Sequence, residues 1–329
     1  MEDHPYAEEV RENSFESIVG STPIMKKIYE KIIKVSRNDA SVNIIGESGT
    51  GKELVARAIH KLSGKEKFYA VNCASYRDDD GLLRSELFGI GKGKATNVYE
   101  DKGILSYLGT GTLFLDEIAD MTGRMQNLLL RVLQERKFSR IGEQTLHNFD
   151  GRIITAASKN LADCVNSKSF RQDLYYRINV VPIYLPPLRE RNGDIDIIAK
   201  AICVRLSERY GMFILDKKTF GYLQEYNWPG NVRELEKKIK GAISLHDDEN
   251  SILYPKDFIE LDDTGETMGS AELENSFETG TISEFEKRLI KRRLISNCYI
   301  ITETARSLGI SRSTLYKKMH KYGLEIDSE

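Results

Sequence analysis

A parallel-sheet α/β core, a helical subdomain and a separate small all-α domain are what this sequence predicts. Three observations carry that expectation. First, the apolar run Val42–Ile45 leads into a glycine-rich loop, Gly46 to Glu53. A segment with Leu54, Val55, Ala58 and Ile59 at helical spacing follows, so the order is strand, loop, helix. Second, another apolar run, Thr112–Leu115, delivers Asp116 and Glu117 at its end, where ligands sit in open α/β sheets. Third, from Thr281 to Glu329 ten Lys or Arg face six Asp or Glu, after an acidic stretch with no basic residue.

Composition sets the frame. The chain has 329 residues, 40% hydrophobic and 30% charged, enough for two or three soluble domains. A net charge of −2 gives no global attraction to nucleic acid, but a local basic patch is compatible with it. The four cysteines, Cys73, Cys164, Cys203 and Cys298, form no CxxC pair and suggest neither a disulfide framework nor a zinc site. No apolar run reaches transmembrane length and the first residues are polar and acidic, so no membrane partner and a cytoplasmic location are expected.

Residues 1–14 read as a loose leader. Ile18, Val19 and Gly20 close a short apolar patch, and Met25, Ile28, Ile32 and Ile33 then repeat at helical spacing. In the loop, Gly46, Glu47, Ser48, Gly49, Thr50, Gly51 and Lys52 have P-loop spacing. Its backbone N–H groups can cradle phosphates, and Lys52 can reach the outer ones. Glu53 stands where Ser or Thr normally meets magnesium. A plain glycine turn is the alternative reading. Phe68–Asn72 reads as a second strand and 83–109 as a glycine- and charge-rich excursion. Asp116 suits magnesium, and Glu117 suits a general base acting on water. Met125, Leu128, Leu129, Val132 and Leu133 form a core stripe, and Arg152–Ala157 is a further buried strand. Pro186-Pro187 ends this core at about residue 188. Residues 189–261 read as a helical subdomain, its pattern helical throughout from Asp194 to Leu245 with a break between helices at Trp228-Pro229-Gly230-Asn231. Residues 262–280 read as a solvated linker.

In 281–329, Ala305, Gly309 and Leu315 have helix-turn-helix spacing: small contact residue, turn glycine, apolar anchor. Ser311 or Ser313 can cap the second helix, expected over about 312–321. Arg312, Ser313, Thr314, Tyr316, Lys317 and Lys318 on it suit base edges and phosphates of double-stranded DNA. A helical oligomerisation tail is the competing reading.

From Phe15 to Gly323 the sequence resembles the AAA+ ATPases that activate sigma-54 RNA polymerase, the bacterial enhancer-binding proteins, with a Fis-type DNA-binding end. The resemblance rests on Gly46–Glu53, Asn72-Cys73-Ala74, Ser85-Glu86-Leu87-Phe88-Gly89 and Gly111–Ile118. It extends through Phe170–Arg177, Leu185–Arg191 and Trp228–Leu235. It implies a P-loop AAA+ core with a helical lid, and ATP with Mg2+ as ligands. It also implies self-association as dimers, and as a ring, expected to be a hexamer. By resemblance Arg171 and Arg177 match arginine fingers that reach a neighbouring subunit's γ-phosphate, and Arg233 matches the second sensor. Asn72 matches the residue restraining the catalytic glutamate, Ile18-Val19-Gly20 the adenine side, and Glu53 the family's usual residue after the lysine. Two positions depart from the pattern. The sigma-54 contact loop, Gly-Ala-Phe-Thr-Gly-Ala in the family, reads Gly93-Lys94-Ala95-Thr96-Asn97-Val98. The first sensor, Ala-Thr-Asn, reads Ala156-Ala157-Ser158. Two functional readings therefore stand. One is a sigma-54 activator that hydrolyses ATP. The other is a sigma-54-independent regulator that uses the ATPase module for gated oligomerisation.

Overall fold

The computed structural model describes residues 4–77, 79–91, 102–246, 251–258, 286–287, 290, 293–294 and 301–323. The segment 93–98, the linker 262–280 and Cys298 lie outside them. The chain divides into two compact units. One comprises residues 10–198 and 227–234; the other comprises 1–9, 199–226 and 235–329.

The first unit is built on five parallel strands: β3 (Val42–Ile45), β4 (Phe68–Asn72), β5 (Thr112–Asp116), β8 (Arg152–Ala157) and β9 (Val181–Tyr184). Their order across the sheet is β4-β5-β8-β3-β9. Two short antiparallel pairs, β1 (Ser14–Phe15) with β2 (Ile18–Val19) and β6 (Lys137–Phe138) with β7 (His147–Asn148), and the helix α7 (Leu161–Asn166) lie outside it. Because side chains alternate along a strand, Leu113 and Leu115 of β5 enter one core while Phe114 enters the other. The helices α2 (Pro23–Ser36) and α3 (Lys52–Leu62) cover the Phe114 face with Met25, Ile28, Ile32, Val55 and Ile59. The opposite face is closed by α4 (Asp80–Phe88), α5 (Gly103–Leu108), α6 (Gly123–Glu135) and α8 (Gln172–Ile178). The expected stripe on α6 is buried at Met125, Leu129, Val132 and Leu133, with Leu128 half-buried.

Three local readings change. The excursion at 83–109 contains two helices, α4 and α5, packed so closely that a Cβ on Gly103 would lie 2.4 Å from the Gly89 nitrogen. Their apolar residues come in runs too short for periodicity to reveal. The leader contains a helix, α1 (Ala7–Glu12). Ahead of it, Tyr6 Oη accepts from Leu215 N at 3.0 Å, and His4 Nε2 lies 3.2 Å from Phe213 O. The region 194–245 is not helical throughout. Between α9 (Ile195–Tyr210) and α10 (Lys217–Glu225), β10 (Ile214–Leu215) pairs in parallel with β11 (Ile252–Leu253). A two-residue strand is stabilised by that distant partner and has no period of its own.

Trp228, the only tryptophan in the chain, is fully buried in the first unit and sits at φ +51°, directly before α11 (Asn231–Leu245). Among the described residues Cys73 and Cys203 are buried and Cys164 half-buried, all as free thiols. No helix among them is long and apolar enough to cross a membrane.

Ile44, fully buried on the interior strand β3, is the most direct test of this core. Ile44→Ala should cost about 3 kcal/mol, read as a lower urea midpoint of the helical signal. An unchanged midpoint would contradict the placement.

Candidate nucleotide site

The loop after β3 is shaped by close approaches. Gly46 donates to Ala157 O at 3.2 Å, and a Cβ on it would lie 2.7 Å from Leu185 O. Gly49 takes φ +78°, and a Cβ there would lie 2.3 Å from Gly230 O. No L side chain fits either position without movement. Lys52 opens α3 and is buried, with Nζ donating to Gly46 O at 2.9 Å and Glu47 O at 3.2 Å. The same ammonium lies 3.4 Å from Glu117 Oε1. Thr50 Oγ1 donates to Glu47 O at 2.8 Å, tightening the loop. The first turn of α3 also leaves backbone N–H groups without intrahelical acceptors, which suits an anion.

Asp116 and Glu117 leave β5 beside this lysine. Glu117 adopts the left-handed conformation, φ +49°, uncommon for a non-glycine residue. That turn lets its backbone N–H donate to Asp116 Oδ1 at 3.0 Å. Burial first, then the neighbouring Glu117 charge, push the Asp116 carboxyl above its ordinary range, against the pull of Lys52. Next door, burial and these carboxylates push the Cys73 thiol up to about 12.

The structure gives the other expected residues the following contacts. Ser158 donates to Glu117 Oε2 through both its hydroxyl, at 2.6 Å, and its amide, at 3.1 Å. Asn72 accepts from Ala74 N at 3.0 Å and caps a short 3-10 turn. Glu53 turns outward to Arg57, 2.7 Å away on the next turn of α3. Arg171 is exposed and forked on Asp173, with contacts of 3.0 and 2.6 Å, and Arg177 is exposed on the same short helix. Arg233 Nη1 donates to Ser48 Oγ at 3.1 Å, on the loop itself.

The structure adds five residues that sequence reasoning left out. Asn231, in the left-handed region at φ +54°, accepts from Leu188 N at 2.7 Å. Its amide donates to Ser48 O at 3.0 Å and to Glu47 Oε2 at 3.1 Å. Arg189 forms a two-pronged pair with Glu47, 2.8 and 2.5 Å, which holds that carboxyl below its ordinary range. Asp194 accepts from Ser21 N, Thr22 N and Thr22 Oγ1 at 2.7, 2.9 and 2.8 Å, just beyond Ile18-Val19-Gly20. Buried Arg191 donates to Thr50 O at 3.1 Å, so the Ile18–Gly20 side and the loop share one network. Tyr29 joins it by donating to Gly20 O at 3.1 Å. Its hydroxyl is pushed up to about 12 by burial, with Asp194 adding to the shift. The Leu188–Arg191 and Gly230–Asn231 motifs were the available signal for three of these.

In the other unit, Ala305, Leu315, Met319 and Tyr322 are buried together with Ile290 and Leu294. Gly309 takes φ +65° in the turn, and Ser311 rather than Ser313 caps the second helix, accepting from Thr314 N at 3.1 Å. That helix, Arg312–Tyr322, exposes Arg312, Ser313, Tyr316 and Lys317, with Thr314 half-buried. Lys318 is different: it pairs with Glu286, which also accepts from the Tyr322 hydroxyl. It therefore faces its own domain rather than lining up with the exposed residues.

With this geometry in hand, comparison with known proteins is specific. Residues 18–184 match the model of the sigma-54 interaction domain, 189–268 that of an AAA+ ATPase lid domain, and 281–322 that of a bacterial regulatory protein of the Fis family. The chain is 38% identical over 327 residues to a signal-transduction and transcriptional-control protein of Clostridium beijerinckii, covering 98% of this chain and 51% of that protein. It is 37% identical to the formate hydrogenlyase transcriptional activator of Salmonella typhimurium, covering 96% of this chain and 46% of that one. The chain thus spans about half the length of the curated relatives it matches. Among solved structures, NtrX from Brucella abortus in complex with ADP aligns with a TM-score of 0.68 at 28% identity, covering 96% of this chain and 71% of that one. Its complex with ATP aligns at 0.65. The chain belongs to the sigma-54 interaction domain family, joined to an AAA+ lid and a Fis-type helix-turn-helix.

Proposed function

We propose that this chain is the ATPase and DNA-binding part of a transcription regulator, hydrolysing ATP in an oligomeric ring to act on sigma-54 RNA polymerase. The observation that carries the enzymatic reading is the meeting of buried Lys52 with half-buried Glu117, 3.4 Å apart beside the glycine loop. Lys52 and the loop amides bind the β- and γ-phosphates. Glu117 accepts the proton of a water whose oxygen attacks the γ-phosphorus, while the bond to the β-phosphate oxygen breaks and ADP leaves. Arg171 and Arg177, exposed on α8, complete the site of a neighbouring copy, where a guanidinium stabilises charge on the transferred phosphoryl. For that, Arg171 exchanges Asp173 for phosphate. Arg233, already at Ser48, reads the nucleotide from the lid side.

The residues fit magnesium. Asp116 carries a half-buried carboxylate that Lys52 compensates only in part, which suits a cation. Asp116 would hold it, and the ion would supply charge neutralisation on the phosphates; among the described residues no cluster of three or more His, Cys, Asp or Glu could hold a metal ion by itself.

The exposed Arg312, Ser313, Tyr316 and Lys317, with Thr314, form the face presented to a DNA major groove. A second reading, regulation without sigma-54, is favoured by one observation: Ala95 and Asn97 replace the phenylalanine and glycine of the contact loop.

Purified protein at high concentration should hydrolyse ATP with magnesium, and Lys52→Ala should lower kcat at least ~100-fold. Wild-type protein inactive at every concentration would refute the enzymatic reading. Trapped with an ATP transition-state analogue, it should retain sigma-54 in a pull-down; retention only after Ala95→Phe and Asn97→Gly would instead select the second reading.

Asp116→Asn should trade activity for stability. The raised folded pKa means that the unfolded chain loses this proton first, so stability falls as pH rises across that interval and stays lower above it. Removing the charge should therefore raise Tm at neutral pH, by about 2 °C, while magnesium-dependent hydrolysis is lost. A lower Tm would contradict the electrostatic argument.

On DNA, Lys317→Ala should weaken binding and reduce the salt dependence by about one ion. Unchanged affinity and salt slope in both Lys317→Ala and Arg312→Ala would remove the assignment of this face.

A further inference from the structure

Gln126 is 1% exposed on α6, whose other buried residues are apolar. An amide buried there is costly unless it is hydrogen-bonded, and this one is bonded at both atoms. Its Nε2 donates to Met121 O at 2.8 Å and to Ser169 O at 3.1 Å, and its Oε1 accepts from Arg171 N at 2.8 Å. All three partners are backbone groups outside α6 and outside the sheet. Met121 closes the turn that follows the carboxylates of β5: Asp120 N donates to Glu117 O at 3.0 Å, and Met121 N to Ile118 O at 3.2 Å. Ser169 and Arg171 belong to the loop between α7 and α8. Intrinsic preference does not shape that loop, since Lys168 takes φ +60°, a conformation disfavoured for a residue with a Cβ. It is tied to α7 by Ser169 N and Phe170 N, which donate to Cys164 O at 2.9 and 3.0 Å, and by the buried Phe170 ring. Beyond Phe170, the backbone of Arg171 is held by Gln126 while its guanidinium lies exposed on Asp173. Arg171 and Gln126 both line an open cavity of about 550 Å³, so the guanidinium has space in which to change partner.

A long side chain meets a phosphate only as accurately as its own backbone is placed. We propose that Gln126 is a positioning residue for Arg171: its amide ties the backbone of that arginine to the turn that carries Glu117. Each copy's arginine is then set by its own catalytic strand, although it acts on the γ-phosphate of its neighbour. The inference rests on the reading of Arg171 given above. Glutamine suits the task because two N–H donors and an acceptor on one planar group match two carbonyls and one N–H. An ionised glutamate could accept from Arg171 N but could donate to neither carbonyl, and a methionine of similar length offers no such bond. Without the amide, three backbone groups lose their partner, and the segment must shift to satisfy them. Phe170 anchors the loop on one side, so the shift falls on Arg171.

Mixing two variants of the whole chain tests this. Lys52→Ala keeps Arg171 but loses its own site; Arg171→Ala keeps the site but lacks the arginine. Mixed, they should recover ATP hydrolysis where an intact site meets an intact arginine. Gln126→Met is then added to one copy at a time, and its affinity for the magnesium complex of ADP, measured on the otherwise unaltered chain, reports that it is folded. Added to the Lys52→Ala copy, which donates the arginine, it should lower the recovered kcat about 100-fold, the cost of a displacement of about 1 Å, with KM for ATP kept. Added to the Arg171→Ala copy, which supplies the site, it should cost less than about fivefold, because no acting arginine is displaced there. Gln126→Glu, which keeps the acceptor for Arg171 N, should show the same dependence on the copy with a smaller loss. Equal losses on either copy would overturn the positioning role and leave Gln126 to packing alone. Parent variants that recover no hydrolysis when mixed would overturn the assignment of Arg171 to a neighbour's site, and this inference with it.

Discussion

The parallel register of the central strands is the constraint on which the rest of the nucleotide edge depends. Ile45 lies opposite Ala157, so Gly46 and Ser158 leave the sheet at the same level. Asn72 lies opposite Asp116, one strand further on. Side chains alternate faces along a strand, so a slip of one residue would turn Asp116 and its neighbours away from the lysine. The alternating burial of Leu113, Phe114 and Leu115 between two cores fixes that register. Chemistry at the edge is therefore a consequence of packing in the middle.

Three cations of the site are already paired. Lys52 faces Glu117, Arg189 grips Glu47, and Arg171 is forked on Asp173. Phosphate binding is then an exchange of partners, and the affinity reflects the difference between two paired states rather than the strength of either. Buried charge left without a partner is costly, so such pairing also keeps the loop in shape. The Arg171–Asp173 and Arg189–Glu47 pairs are both exposed and screened by solvent, so the Lys52–Glu117 pair is the least screened of these restraints.

Much of this was legible in the sequence where the signal is local. The strand, loop and helix around Gly46–Lys52 and the carboxylates ending β5 are contiguous motifs, and β3, β4, β5 and β8 stand where their apolar runs predicted. The spacing of Ala305, Gly309 and Leu315 likewise matches their burial and turn. What stayed hidden depends on pairings across long separations. Asn231 reaches Glu47 and Leu188, and Arg191 reaches Thr50, contacts that no periodicity encodes. Ser158 was readable as a donor but not as the donor to Glu117, since that requires β5 and β8 to be neighbours. Lys318 looked like one of a basic series, yet Glu286 claims it, and only the fold brings the two together.

The turn that holds the loop has one more property. Asn231 and Val232 bind Ser48 O and Gly49 O, and Trp228 lies three residues ahead of Asn231, whose backbone N–H donates to the Trp228 carbonyl at 2.8 Å. Because the chain contains no other tryptophan, its entire indole emission arises beside the phosphate loop. The chain thus carries a buried intrinsic optical probe whose colour and lifetime follow the local packing of the segment that clasps Ser48 and Gly49.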